Sequence, residues 1–345
     1  MFLSPIHSFR AIAILFIVAG HVIWAFSWHR HPHVRDFLAD FFENGTVLFV
    51  FVSGFLFQHL SARFHYRDFL SKKFRNVVLP YLIISTPAVL YTLLRDHPSI
   101  TYPQLDHTSE LYQAMWLYAK GGAHINYPLW FIPMISIYFL LAPAFMVIVR
   151  QPKLYWLLVL LIPASLLAHR PPFPNLDLVH LCVYYLSAYI MGMCCSQFRS
   201  QLEPFLYKSA YALAIFYLLA LIAHFHWSRF HGNYEVSHIF SLEKGLVDWI
   251  FALKLVLCFV LWGVMLRLDK RVAPHLRFLA DASFAIFFVH MYFIFSIHVA
   301  ERWHTLEGGL LQWFVELVSV LACSVLSVLV ARKLLGDKSR LVIGS

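Results

Sequence analysis

Hydrophobic positions in this chain are grouped in long runs separated by short polar connections. Ten runs stand out, at approximately 9–28, 44–60, 77–95, 127–149, 154–169, 177–196, 208–227, 246–267, 282–300 and 309–331. They are continuous rather than alternating. Most approach the roughly 20 residues that an α-helix needs to cross the ~30 Å core of a bilayer. The fifth run, LYWLLVLLIPASLLA from Leu154, is the weakest and predicts a shallow or shifted helix. The expected fold class is an all-α polytopic membrane protein, with about ten transmembrane helices in one bundle and residues 1–345 forming a single transmembrane domain. No repeat, low-complexity tract or soluble domain interrupts this order. The longest connection, 96–126, predicts one interfacial helix around Glu110–Tyr118.

Polar positions inside the runs are few, which makes them informative. The first run contains Arg10 and His21, eleven residues apart. At about 100° and about 1.5 Å per residue, they fall within roughly 20° of one helix face and roughly 16 Å apart along it. Ionisable groups inside a bilayer are costly and normally face the bundle interior, so both are functional candidates. His290, Lys254 and Glu316 are also intramembrane. An interhelical hydrogen bond suits His290, and a Lys254–Glu316 pair is conceivable.

Composition supports the membrane reading: 60% of the residues are hydrophobic and 13% charged, against roughly 25% charged in soluble domains. The net charge of +9 does not point to nucleic acid, because the basic residues cluster in connections. Alternate connections at 61–76, 150–153, 197–208, 267–281 and the tail from Arg332 hold 17 of the 27 Lys and Arg residues, whereas the opposite set holds 8. That bias predicts that both termini are cytoplasmic, with Arg10 near the cytoplasm and His21 toward the far side. The five cysteines lie in or beside apolar runs, and predict neither a disulfide framework nor a zinc site. Histidines gather at His29, His31 and His33 and at His224, His226 and His231. Their spacing matches no metal pattern and no Cys is near, so they read as interfacial loop residues and no metal is expected.

The most basic short stretch runs from Arg63 to Arg75. Positive-inside topology and attraction to anionic lipid account for much of it. Lys72 and Arg75, three residues apart on a helix entering the bilayer, share a face suited to phosphate or pyrophosphate. With Arg10 at the same depth, three cations are expected to converge on one polyanion.

Several pieces belong together: Arg10-x10-His21, Ser53-Gly54-Phe55, and Lys72-x-x-Arg75 followed by Pro80-Tyr81. Leu129-Trp130-Phe131 and the aromatic helix containing His290 complete the set. Taken together, they resemble the acyltransferase-3 family of bacterial glycan O-acyltransferases. The resemblance covers nearly the whole chain, in the short form without an appended extracytoplasmic domain. It implies transfer of an acyl group, by family habit acetyl, from acetyl-CoA or another short acyl-CoA to a hydroxyl of a polysaccharide or lipid-linked glycan. It also implies a bacterial inner membrane and a link to polysaccharide synthesis machinery. His21 matches the family's essential histidine, and Arg10 and Arg75 its essential arginines. The family's Arg-x-x-Arg is here Lys72-x-x-Arg75, which keeps the charge but loses one bidentate fork.

The chemistry agrees. A neutral histidine can serve as base for a sugar hydroxyl attacking a thioester. The ~16 Å between Arg10 and His21 argues against a shared contact on the carbonyl, so Arg10, Lys72 and Arg75 are assigned to the nucleotide phosphates. Tyr81, Trp130 and His290 are the candidate supporting or oxyanion groups. The alternative function is a transporter or exporter of a polysaccharide or acylated intermediate. It would more often show repeated halves or paired broken helices, and neither is visible.

Overall fold

The computed structural model describes residues 3–96, 102–121, 128–173, 177–300 and 307–344. Tyr127, which begins the fourth apolar run, lies outside them. The first half is built from α1 (Ser4–Ile23), α2 (Pro32–Phe42), α3 (Thr46–Leu60), α4 (Tyr66–Lys73), α5 (Leu79–Tyr91) and α6 (Glu110–Lys120). After these come α7 (Phe131–Leu140), α8 (Ala142–Arg150), α9 (Leu158–Ala168) and α10 (Leu178–Gln197). The last four are α11 (Arg199–Trp227), α12 (Trp249–Ala300), α13 (Leu310–Leu335) and α14 (Ser339–Ile343). The protein is all-helical. β-Structure among the described residues amounts to the isolated bridges Ser27–Glu307 and Arg170–Glu235.

α1 is the central helix. Pro5 occupies its first turn, where a missing N–H costs nothing. From Ala11 to Ile23 nearly every side chain is buried, as expected of a helix that is apolar all round. Two peripheral helices show the reverse pattern. α11 exposes Phe205, Ile215, Phe216 and Leu219, and α13 exposes Leu311, Phe314, Leu326 and Leu334. Large apolar side chains turned outward on long apolar helices suit hydrocarbon as their solvent.

Among the described residues, seven helices are long and apolar enough to span a membrane, or eight if α7 and α8, bent by 56°, count as one. The expectation was about ten. Part of the difference lies in α9, which is short as the weak fifth run foreshadowed. The rest lies in α12.

Run straight, α12 would hold Lys254 and His290 about 54 Å apart. Yet both contact α1 near its distal end: Lys254 sits 5.9 Å from the Phe16 ring and His290 is 5.3 Å from the His21 ring. Between them, Asp269 accepts from Ser8 at 2.9 Å and Ser283 accepts from Arg10 at 3.0 Å, both near the other end of α1. The chain therefore reverses between Asp269 and Ser283, around Pro274, whose lost N–H permits a sharp bend in a helix that stays continuous. Two antiparallel arms of α12 clasp α1, one for each of the runs 246–267 and 282–300.

Close packing fixes a second pair. A Cβ at Gly54 of α3 would strike the Tyr189 carbonyl, and one at Gly192 of α10 would strike the Phe51 carbonyl. The two backbones touch there, as small residues allow in membrane helices. α6 forms where the interfacial helix was expected. Ser109 caps it by accepting from the Tyr112 N–H, and Gly121, at φ +92°, ends it.

Candidate functional site

Two cavities flank α1, an inner one at its N-terminal end and an outer one at its C-terminal end. The inner cavity, about 900 Å³, is lined by Arg10, Arg63, Lys72, Lys73, Arg332 and Arg340 against the acids Asp68 and Asp281. Six cations facing two carboxylates make a site for a polyanion. Arg10 reaches it from the first turns of α1, its Nη2 held at 3.0 Å by Ser283. Asp281 is bonded to His7 at 2.9 Å. The Lys73 ammonium lies 4.7 Å from the Phe139 ring and 5.4 Å from Phe69, which supports the cation where few waters reach it.

Arg10 and Lys72 are thus brought together as expected. Arg75 is not among the lining residues and is exposed. Residues Phe74–Val78 form a π-helical turn. Its looser winding takes Arg75 off the face it would share with Lys72 in an α-helix. Lys73 takes a place in the lining. Arg332 and Arg340, from the end of α13 and from α14, were counted in the sequence only as topology signals. Their arrival at the cavity is a tertiary fact.

The outer cavity, about 470 Å³, contains His21, Glu43, Asn44, Trp24, Trp130, Arg170, Tyr185, Asn233 and Glu235 in its wall. Here the polar groups hold one another. Glu43 accepts from the Trp24 indole at 2.8 Å and from the Asn233 N–H at 2.6 Å. Asn44 donates to the Tyr184 hydroxyl at 2.6 Å and accepts from the Tyr185 hydroxyl at 2.8 Å, while Tyr184 donates to Asp248 at 2.7 Å. Arg170 binds Glu235 at 2.6 Å and lies 5.5 Å from the Trp130 ring, itself stacked on Tyr185 at 5.7 Å. Burial works against the Arg170 charge, but the Glu235 carboxylate, with the neighbouring tyrosines and Glu43, outweighs it and holds the guanidinium above its ordinary pKa.

The backbone is unusual at the same place. Asn44 has φ +57° and His169, immediately before Arg170, has φ +53°. Asn tolerates the left-handed region; His169, with ψ −177°, stands where glycine is normally required. Non-helical backbone is tolerated here because it lines a polar cavity.

His21 opens onto the outer cavity, 5.3 Å from His290 between ring centres. His290 is fully buried. Its Nδ1 faces the Ile286 and Phe287 carbonyls at 3.1 and 2.9 Å, so Nδ1 carries the proton and, in the neutral ring, Nε2 is an acceptor. That polarity is wrong for donating to an oxyanion. Tyr81 is buried, donates to the Tyr118 carbonyl at 2.6 Å and lines neither cavity. Of the three supporting candidates, Trp130 is the one in the wall beside His21.

The two cavities approach one another at a layer made of two aromatic side chains. Phe131 lines the inner one and Phe287 the outer one, and their rings pack edge to face at 5.7 Å.

The partners of several polar residues at the outer end escaped the sequence reading. Lys254 is fully buried and donates to the Asp40 and Phe41 carbonyls at 3.0 and 2.8 Å. His224 and His231, expected as ordinary interfacial residues, converge on a buried Asp40. His29, His31 and His33 are exposed, as that reading foresaw. Only an isolated Asp or Glu in an apolar run gives a sequence signal for such partners, and Asp40 and Glu43 sit just ahead of a run.

A family model described as an acyltransferase domain matches residues 6–331. No curated protein matches the chain, and no solved structure matches it.

Proposed function

The chain belongs to the acyltransferase-3 family and is a membrane acyltransferase. From that premise we propose that it moves an acyl group, acetyl by family habit, from cytoplasmic acyl-CoA to a hydroxyl of an extracytoplasmic or lipid-linked polysaccharide. In this reading both termini face the cytoplasm, the membrane is the bacterial inner membrane, and the inner cavity opens to the CoA pool.

One observation carries the proposal: a single helix delivers Arg10 to a cationic cavity and His21 to a second, polar one, with the aromatic layer between. The nucleotide phosphates bind Arg10, Lys72, Lys73 and the other inner cations. The pantetheine arm, long and narrow, passes Phe131 and Phe287 and presents its thioester beside His21. The acceptor hydroxyl attacks the carbonyl carbon as His21 removes its proton. The tetrahedral intermediate collapses, the C–S bond breaks, and the thiolate takes the proton from His21, leaving an ester and free CoA. Arg170 supplies positive charge where oxyanion character develops. Arg75 binds phosphate only if the π-helical turn rewinds.

The test is acyl transfer in purified membranes. His21→Ala is expected to abolish turnover, and Arg10→Ala to weaken use of acyl-CoA; wild-type rates in both variants overturn the proposal. Loss of one acyl mass from surface glycan when the protein is absent identifies the acceptor.

A further inference from the structure

Beside the outer cavity, three ligand-type groups from three segments come together. Asp40 is supplied by α2, His224 by the last turn of α11, and His231 by the loop that follows. The Asp40 carboxylate lies 2.8 Å from His231 Nδ1 and 3.6 Å from His224 Nε2, and the three donor atoms all fall within 4.8 Å of one another. We propose that these residues form a divalent-cation site, with zinc as the fitting ion, clipping α2 to α11 and to the loop over the outer cavity.

Donor type and spacing agree with zinc. Two imidazoles and one carboxylate are borderline ligands that favour it over calcium or magnesium, which prefer oxygen. With metal–ligand bonds of about 2.0–2.2 Å, tetrahedral donors sit about 3.3 Å apart. Asp40 Oδ2 lies 2.8 Å from His231 Nδ1 and Asp40 Oδ1 lies 3.6 Å from His224 Nε2, and with all donors within 4.8 Å a rotation of the carboxylate and of the imidazoles brings one oxygen and both nitrogens to that spacing. Three protein ligands leave one position for water.

An independent observation points to a ligand there. His224 Nε2 is buried without a hydrogen-bond partner, on a side chain 6% exposed, and it faces Asp40 beyond hydrogen-bond distance. A buried polar atom left this way is costly, and a metal ion would satisfy it. The surrounding charge agrees. The buried carboxyls Asp40, Glu43 and Asp248, with the half-buried Glu235, face two cations, Lys254 and Arg170. The competing arrangement is an ion pair of protonated His231 with Asp40, already within bonding distance. It satisfies Asp40 but leaves His224 Nε2 as it stands.

The role is positional. His231 and Asn233 line the outer cavity, and the Asn233 N–H binds Glu43. Fixing His231 therefore fixes the loop that closes the cavity. This inference does not depend on the acyl donor or the acceptor.

The experiment uses the full chain in detergent, purified without a polyhistidine tag and equilibrated with zinc before metal analysis. About one zinc per chain is expected for wild type and under about a tenth for His224→Ala/His231→Ala. His31→Ala, at an exposed position, should retain wild-type zinc. Chelation should lower the unfolding temperature of wild type and leave that of the double variant unchanged. Cobalt titration of wild type gives a second measurement if the double variant fails to fold: tetrahedral d–d absorption is expected. Equal zinc in wild type and double variant, or neither zinc nor tetrahedral cobalt in monodisperse wild type, overturns the site.

Discussion

The two cavities on α1 differ less in size than in how their polar groups are committed. In the inner one most of the cations are not engaged by a carboxylate. Among the described residues, none of Arg63, Lys72, Lys73, Arg332 and Arg340 forms an ion pair with a carboxylate. In the outer one, Glu43, Asn44, Arg170 and Glu235 are each already bonded to a neighbour. Uncommitted charge suits a mobile anionic ligand that supplies the missing partner. A cross-bonded wall suits a place where groups must be in position before a reaction begins. The difference separates binding from chemistry along one helix, and each prediction below probes that separation.

The largest expected effect belongs to the outer end. His21→Ala should lower kcat by about 10²–10⁴-fold, the usual range for a lost base, with KM for acyl-CoA little changed; steady-state kinetics with varied donor check this. A rise in donor KM without loss of kcat would move His21 to the binding side and break the division. Arg10→Ala should act in the opposite sense, raising KM for acyl-CoA about tenfold to a hundredfold through loss of a charge-assisted contact. Increasing salt should raise the wild-type KM in the same direction, because the lining cations are screened.

The layer between the cavities comes next. Phe287→Ala should open a path for water, seen as a severalfold rise in acyl-CoA hydrolysis without acceptor, while transfer in its presence falls. An unchanged hydrolysis rate would mean that Phe131 and Phe287 do not separate the two ends. The smallest effect discriminates between neighbouring cations. Lys73→Ala should raise donor KM severalfold, and Arg75→Ala by less than about twofold. The reverse order would show that the π-helical turn at Phe74–Val78 rewinds when donor binds.

How much of this was legible in advance depended on the range of the contact. Arg10 and His21 were found from spacing alone, because a helix converts eleven residues into a fixed angle and distance. Gly54 entered as part of a motif, and the structure shows its use, a close backbone approach to α10 with Gly192 as its counterpart. The Lys72–Arg75 pairing relied on uniform α-helical winding, and five residues of π-helix were enough to exchange Arg75 for Lys73 at the cavity. The reversal of α12 was legible as two apolar runs, although the helix is unbroken across it. Glu43, Arg170, Arg340 and the Asp40–His224–His231 cluster had no comparable signal. Each meets partners far away along the chain, and nothing local to it says which.

The sequence by itself determined an all-helical membrane protein, the order of its apolar runs, and the placing of a cation and an imidazole at opposite ends of the first helix. These follow from periodicity and hydrophobicity, which act between near neighbours. Only the tertiary structure decided that two cavities lie against that helix, that Phe131 and Phe287 divide them, and that the C-terminal arginines join the inner one. Those depend on which faces pack together once the helices are formed, and packing is settled by the whole bundle at once.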